Sequence, residues 1–181
     1  MLLELNFFGL ADAVFPPFPP RPWTIEGAEF RAWGSELNSI RTWCAAVLHG
    51  RSVVVFGGRD DNAVLNTTEV LDLDGAGTTE ASSTAGPTMA TARQGCAAVR
   101  LDARRVLVVG GSDSISVAGS LDTTVILDLE TMRFSAGPRM LSKRLYCTAV
   151  ALDARRVLIA GGVDENNAPH RTTTEILDVA P

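Results

Sequence analysis

Short apolar runs that end in two glycines recur three times along the chain. Each run has four residues and is followed at once by its glycine pair: 53–56 before Gly57 and Gly58, 106–109 before Gly110 and Gly111, and 157–160 before Gly161 and Gly162. Apolar runs this short, rich in valine and isoleucine, are typical of buried strands rather than helices. The first glycines of successive pairs stand 53 and 51 residues apart. The pattern predicts a strand-built repeat.

The residues around the glycine pairs repeat in the same register. Residues 101–107 recur unchanged at 152–158, and a Thr-Thr-x-x-Leu-Asp motif recurs at 67–72, 123–128 and 173–178. An arginine stands three residues before each of three cysteines, which are 52 and 51 residues apart: Arg41 and Cys44, Arg93 and Cys96, Arg144 and Cys147. These shared spacings indicate three copies of one structural unit.

Each unit is predicted to contain a strand, a hairpin turn, a second strand, a polar loop, a third strand and a weaker fourth strand. In the second unit we expect the strands near 95–101, 105–110, 122–129 and 132–136. Residues 102–104 leave room only for a hairpin turn between the first two. A period of about 50 residues with four short strands is typical of a blade of a β-propeller, which is an all-β fold.

At these residues the chain resembles the kelch repeat family, which includes the central domain of galactose oxidase. The family has a Gly-Gly pair after the second strand, an aromatic residue in the third and a tryptophan seven residues later in the fourth. Here leucines stand at the third-strand aromatic position, and Phe134 stands at the tryptophan position of the second unit; the leucines are Leu71, Leu127 and Leu177. The Arg-x-x-Cys motif resembles the family's Arg-x-x-His. The resemblance covers residues 37–179 and implies about three four-stranded blades of a kelch-type β-propeller.

The repeat divides the chain into two parts. Residues 1–28 form a proline-rich N-terminal arm, expected to be a linker, a stretch laid over a blade, or a polyproline-like ligand segment. Residues 29–181 hold the repeats, with a stray strand predicted at 29–33 and units at about 41–89, 93–140 and 144–181. Propellers close with about four to eight blades. We therefore expect either a partial or truncated propeller, which is the favoured interpretation, or an assembly of two chains.

Composition narrows the choice of partner. Apolar residues make up 46% of the chain, which allows a core, and the net charge of −5 argues against a nucleic-acid-binding role. No apolar run is long enough to span a membrane, and no secretory signal pattern is present, so a cytoplasmic protein is expected.

The sequence contains no recognisable catalytic constellation. The copper site of galactose oxidase needs two tyrosines and two histidines, whereas Tyr146 is the only tyrosine, and His49 and His170 lie in a turn and a loop. Lys143, the only lysine, is expected on the surface. The three cysteines are interpreted as packing residues of the first strands, with a thiol metal cluster as the alternative. No cofactor is expected.

Acidic residues follow each glycine pair. Asp60, Asp113 and Asp164 each stand in a Gly-Gly-x-Asp motif, where a carboxylate is expected to cap the turning backbone. Alternatively, together with Asp61 and Glu165, they form a negative ring that attracts a cation or a basic peptide.

The kelch resemblance, with no catalytic constellation recognisable, implies a protein-interaction or scaffolding module that binds an unidentified protein partner through the loops at 58–67, 111–122 and 162–172. One alternative is a fragment of a galactose-oxidase-like enzyme whose catalytic ligands lie outside this chain. Another is a self-assembling half-propeller with a structural role, which predicts a homo-oligomer.

Overall fold

Three antiparallel sheets follow one another along the chain in a computed structural model, which describes residues 36–73, 82–170 and 172–179. Neighbouring strands in each sheet are consecutive in sequence. Sheet 1 contains β1 (Ala45–His49), β2 (Ser52–Phe56), β3 (Thr68–Asp72) and β4 (Ser83–Ala85). Sheet 2 contains β5 (Ala97–Arg100), β6 (Arg105–Val109), β7 (Thr124–Asp128) and β8 (Arg133–Ala136). Sheet 3 contains β9 (Thr148–Ala151), β10 (Arg156–Ala160) and β11 (Thr174–Asp178).

The predicted all-β class is confirmed, and the described residues contain no α-helix. The four strands of the second unit lie within the predicted ranges, and residues 102–104 form the predicted hairpin turn, where Asp102 Oδ1 accepts the backbone N–H groups of Arg104 and Arg105. The polar loop after β6 contains a short 3₁₀ turn, Val117–Gly119, which the sequence pattern did not indicate. The arm at 1–28 and the stray strand predicted at 29–33 lie outside the described residues.

Two hydrophobic cores lie between the sheets. Alternate residues of a strand point to opposite faces of its sheet. On β6, Val106 and Val108 therefore pack into the core shared with sheet 1, while Leu107 and Val109 pack into the core shared with sheet 3. All four are fully buried. The uninterrupted apolar runs seen in the sequence are explained by this covering of both faces.

In sheets 1 and 2 the first glycine of the pair lies directly against the backbone of the next unit. Gly57 and Gly110 have φ angles of 55° and 59°, and a Cβ on either would overlap the carbonyl oxygen of the next arginine, Arg93 or Arg144. The second glycine donates its N–H to that carbonyl, with Gly58 N 2.7 Å from Arg93 O. The Gly-Gly pair therefore has two roles: it ends a strand in a turn, and it lets the backbone of the next sheet approach and form a hydrogen bond.

The arginine of each Arg-x-x-Cys motif ties together two strands of its own sheet. Arg41 Nη1 donates to the carbonyls of Gly57 and Thr67, which flank the loop between β2 and β3, and Nη2 donates to Thr67 Oγ1. Arg93 and Arg144 make the equivalent bonds and are each only 1% exposed. These charge-assisted bonds hold the ends of the second and third strands at a fixed separation.

A glutamate completes this arginine site in two of the three units. Glu69 Oε1 accepts from Arg41 Nε at 2.8 Å, and Glu175 Oε1 accepts from Arg144 Nε at 2.9 Å. Burial alone would raise the pKa of Glu69, but hydrogen bonds from Ser83, Arg41 and Asn38 outweigh it and lower that pKa. Val125 stands at the same place in the second unit, so Arg93 Nε is buried with no hydrogen-bond partner among the described residues. Burial lowers the pKa of Arg93.

Replacing Gly110 with alanine should destabilise the protein far more than replacing Gly50. Both glycines have left-handed backbone, with φ of 59° and 58°, so both variants carry the same strain of about 1 kcal/mol. A Cβ at Gly50 meets nothing within 4 Å, whereas one at Gly110 overlaps Arg144 O. We expect Gly110→Ala to lower the free energy of unfolding by at least about 2 kcal/mol more than Gly50→Ala in urea titrations. Equal losses would contradict the close-approach role.

Val125→Glu should be tolerated in spite of burying a carboxylate. The new carboxylate would stand where Glu69 and Glu175 accept from their arginines, and would give Arg93 Nε its missing acceptor. We expect urea unfolding to show no loss of stability, or a gain of about 1 kcal/mol, at pH 7. Any gain should disappear at acid pH, where protonation of the new carboxylate removes its attraction to Arg93. The control, Val106→Glu, places a carboxylate on the neighbouring strand β6 at a fully buried position, and should cost more than about 3 kcal/mol. Equal losses in both variants would refute this interpretation.

Candidate functional site

The carboxylates that follow the first and third glycine pairs are engaged within their own loops. Asp60 Oδ1 accepts the backbone N–H groups of Asn62 and Ala63 at 2.8 and 2.7 Å. Asp164 Oδ1 accepts those of Asn166 and Ala168 at 2.8 and 2.9 Å. These backbone hydrogen bonds lower the pKa of both aspartates. Both side chains thus do the local capping expected of the Gly-Gly-x-Asp motif.

The remaining acidic candidates do not join them in one cluster. Asp113 lies against Gly119 in the loop after β6, and its charge favours the protonated form of Arg93, which opposes the lowering of the Arg93 pKa by burial. Asp61 is exposed, and Glu165 forms an ion pair with Lys143. Within 36–73, 82–170 and 172–179, no group of three or more histidine, cysteine or acidic residues could hold a metal ion.

The three cysteines occupy equivalent places but differ in exposure. Burial raises the pKa of Cys96 to about 12 and that of Cys147 to about 11. Cys44, in the first unit, is exposed. Cys96 lies beside Gly111, where an added Cβ would come within 3.0 Å of the Cys96 Cβ. Cys96 and Cys147 are therefore neutral thiols that fill space beside the second glycine of the pair.

The residue before each cysteine has a left-handed backbone in all three units. Trp43, Gly95 and Tyr146 have φ angles of 55°, 59° and 60°. Glycine adopts this conformation freely, whereas a bulky aromatic residue carries about 1 to 2 kcal/mol of strain there. The first and third units therefore place a tryptophan and a tyrosine at a position whose backbone favours glycine.

These two aromatic side chains meet across the glycine of the middle unit. The ring centroids of Trp43 and Tyr146 are 5.7 Å apart in an edge-to-face arrangement. Gly95 makes room for the contact, since a Cβ there would lie 2.6 Å from Tyr146 Cδ1. Arg59 Cζ stands 5.4 Å from the centre of the Trp43 ring, within range of a cation–π interaction. We call Trp43, Arg59 and Tyr146 the aromatic cluster.

The aromatic cluster lies beside the loops that follow β2 and β10. Thr42 pairs with Arg59, the first residue after the glycine pair of sheet 1, and Leu145 pairs with Val163 after the pair of sheet 3. Trp43 and Tyr146 are 50% and 49% exposed. The loops proposed from sequence to bind a partner therefore begin next to two half-exposed aromatic rings and a guanidinium.

Trp43 and Tyr146 were not among the site residues predicted from sequence. Their contact depends on a neighbouring unit, so the spacing within one unit gives no sign of it. The available signal was the residue before each cysteine, which is Trp, Gly and Tyr in turn while the flanking Arg and Cys do not change. Aromatic residues at such a position, in a chain with only 6% aromatics, indicate a role beyond the repeat itself.

The two histidines lie in different parts of the fold, and one of them contacts the backbone of the lysine. His49 ends β1 at the hairpin, while His170 Nε2 lies 3.1 Å from the Lys143 carbonyl oxygen, in the loop before β11. The described residues contain no helix that is long and apolar enough to cross a membrane.

No model of a known protein family matches the chain, and a search of curated proteins found no match.

The buried thiols should resist modification in the native protein. At pH 8 the raised pKa values leave almost no thiolate at Cys96 or Cys147, and the thiolate is the reactive form. We expect both residues to react with an aromatic disulfide reagent at least about 100-fold more slowly than in denaturant, followed by peptide mass mapping. Rapid native labelling of Cys96 would show that sheets 1 and 2 are not packed as described.

Proposed function

We propose that the chain is part of a kelch-type β-propeller, with its three sheets as blades, and that it acts as a protein-interaction module. Two kinds of observation support the propeller assignment. The repeat unit contains up to four antiparallel strands in sequence order, and successive units pack face to face through equivalent contacts. The kelch-like Gly-Gly pairs, including Gly110 and Gly111, lie at the contact between units. The binding role rests on a different feature, the aromatic cluster.

The aromatic cluster carries the functional proposal. Tryptophan, tyrosine and arginine are the residue types most often found at the energetic centres of protein interfaces. Trp43 and Tyr146 keep half of their surface exposed, although their left-handed backbones are strained. Strain of this kind concentrates at functional sites, where the surrounding structure holds it in place. We infer that the two rings and Arg59 form the centre of the binding surface, with the adjoining loops at its rim.

Charge and shape around the cluster define the partner that would fit. The half-exposed rings favour a flat apolar or guanidinium side chain, which packs against an aromatic ring. Asp60 and Asp61 lie in one adjoining loop and Asp164 in the other, and the chain carries a net charge of −5. We therefore propose a partner segment that presents an apolar or arginine anchor flanked by basic residues.

Selection of binding peptides from a displayed library against the full chain tests this function. Selected peptides should contain aromatic, aliphatic or arginine anchors, and Trp43→Ser or Tyr146→Ser should weaken their binding at least about tenfold. Leu48→Ser is the matched control, because Leu48 is 54% exposed but lies beside the β1–β2 hairpin at the other end of β1. The control variant should bind like the unchanged chain.

Stability of the same variants separates binding from folding. Both aromatic substitutions remove ring contacts but replace a bulky residue at a strained position, so the change in free energy of unfolding should stay below about 1.5 kcal/mol. Peptides that bind both serine variants as tightly as the unchanged chain would refute the aromatic cluster as the binding surface. Loss of binding in Leu48→Ser alone would refute it as well.

A further inference from the structure

Each contact between successive sheets uses the same three main-chain hydrogen bonds. In the first, the N–H of the second glycine of a pair donates to the carbonyl of the arginine in the next unit. In the second, the N–H of the residue before the cysteine donates to the carbonyl of the equivalent residue in the preceding unit. In the third, the N–H of that same arginine donates to a carbonyl in the loop after the second strand of the preceding unit. Between sheets 1 and 2 the pairs are Gly58 N to Arg93 O, Gly95 N to Trp43 O, and Arg93 N to Leu65 O. Between sheets 2 and 3 they are Gly111 N to Arg144 O, Tyr146 N to Gly95 O, and Arg144 N to Leu121 O.

An apolar row accompanies these bonds on every sheet. Each row consists of one residue from each of the first three strands of a sheet, paired side by side. In sheets 1 and 2 the next sheet covers the row. Its members are Val47, Val54 and Val70 in sheet 1, and Val99, Leu107 and Ile126 in sheet 2. The equivalent row of sheet 3 is Val150, Leu158 and Ile176. Val150 and Ile176 are 51% and 54% exposed. Sheet 3 thus presents the surface that its two predecessors bury.

The hydrogen-bonding groups beside that row are equally open. The groups of sheet 3 that correspond by position to those used in the other two contacts are Gly162 N, Tyr146 O and His170 O. None of the three has a backbone hydrogen-bond partner in the described part of the chain. A Cβ on Gly161 would meet nothing within 4 Å, whereas at Gly57 and Gly110 it would overlap the next arginine. Sheet 3 therefore offers one donor, two acceptors and the space for an arginine carbonyl.

Sheet 1 presents the complementary half of the same contact. The N–H and C=O of Arg41 and the N–H of Trp43 correspond to the groups that Arg93 and Gly95 use against sheet 1, and they too are without backbone partners in the described ranges. Cys44 and Ala46 are exposed there, whereas the corresponding Cys96 and Ala98 pack into the core between sheets 1 and 2. The chain therefore carries both halves of one interface on opposite flanks.

We propose that sheet 3 of one copy of this chain binds sheet 1 of a second copy, and that two such contacts close a pair of chains into a ring of six sheets. Gly162 N would donate to Arg41 O of the other copy, Trp43 N to Tyr146 O, and Arg41 N to His170 O. A second copy is the occupant because the chain itself supplies the matching half. Two sets of three sheets also give a number within the range of about four to eight that closes a propeller. Such a head-to-tail contact generates a closed ring when its rotation closes.

The mass of the full chain in solution tests this pairing. We expect twice the 19.2 kDa of one chain by light scattering at concentrations of about 1 to 100 μM. Ile176→Arg should raise the dissociation constant at least about 100-fold and give a monomer, because it places a charge in the apolar row. Ile115→Arg is the matched control: Ile115 is 56% exposed, but it lies in the loop after β6, so that variant should remain paired.

Two glycine variants separate the interface from backbone strain. Gly161 and Gly50 have φ angles of 69° and 58°, and a Cβ at either meets nothing within 4 Å. Asparagine tolerates a left-handed backbone, so we expect both Gly161→Asn and Gly50→Asn to fold. Their unfolding midpoints should be similar when measured at a protein concentration low enough for both to be monomeric. Only Gly161→Asn should abolish pairing, because its side chain would occupy the place of the Arg41 carbonyl of the other copy.

Mixing two monomeric variants tests the head-to-tail direction. Ile176→Arg leaves the sheet 1 flank intact, and Ala46→Arg leaves the sheet 3 flank intact. An equimolar mixture should therefore form a pair through the one contact whose halves are both unaltered. Cys44 gives an independent readout: its alkylation should slow at least about tenfold as the unchanged chain pairs, and should not slow in Ile176→Arg.

Several outcomes would overturn the proposal. A monomer at 100 μM, a pair that Ile176→Arg leaves intact, or a mass that grows without limit on concentration would each do so. A mixture of Ile176→Arg and Ala46→Arg that stays monomeric would exclude the head-to-tail contact. None of these variants alters Trp43, Arg59 or Tyr146, so a failure here leaves the binding function of the aromatic cluster standing, and the reverse also holds.

Discussion

A sheet of short strands with apolar residues on both faces cannot remain alone in water, and the whole arrangement depends on this constraint. The last four residues of β2, β6 and β10 are all apolar, because each of these strands is built to be covered on both sides. Only the middle sheet has both covers within the described residues. The close approach of backbones that such covering requires explains why glycines, rather than any other residue, end these strands.

Buried arginines give each sheet a rigid frame on which the loops stand. Arg41 and Arg144 each donate hydrogen bonds to two carbonyls and a carboxylate, and so restrain the two ends of the loop between the second and third strands. Such pairs gain little net stability over a well-packed apolar core, but an unmatched partner is costly. Arg93 shows that the frame tolerates one missing carboxylate, because its other hydrogen bonds remain.

The strands, the hairpin turns and the capping aspartates could be predicted from sequence because each depends on residues close along the chain. The short apolar run closed by two glycines indicated β6 to within one residue, and Gly-Gly-x-Asp indicated the capping by Asp60 and Asp164. The role of the first glycine could not be predicted, since its constraint comes from an arginine more than thirty residues away. The meeting of Trp43 and Tyr146 was missed for the same reason: it joins the first unit to the third.

The single position before each cysteine also bears on how such a chain could diversify. A ring built from identical units would present the same chemistry in every direction and could not tell one orientation of a ligand from another. Trp43, Gly95 and Tyr146 break that equivalence without changing a strand, a core residue or an arginine contact. Substitution at this one position, within the space that the neighbouring units leave, can thus supply asymmetric recognition while the repeated scaffold keeps its architecture.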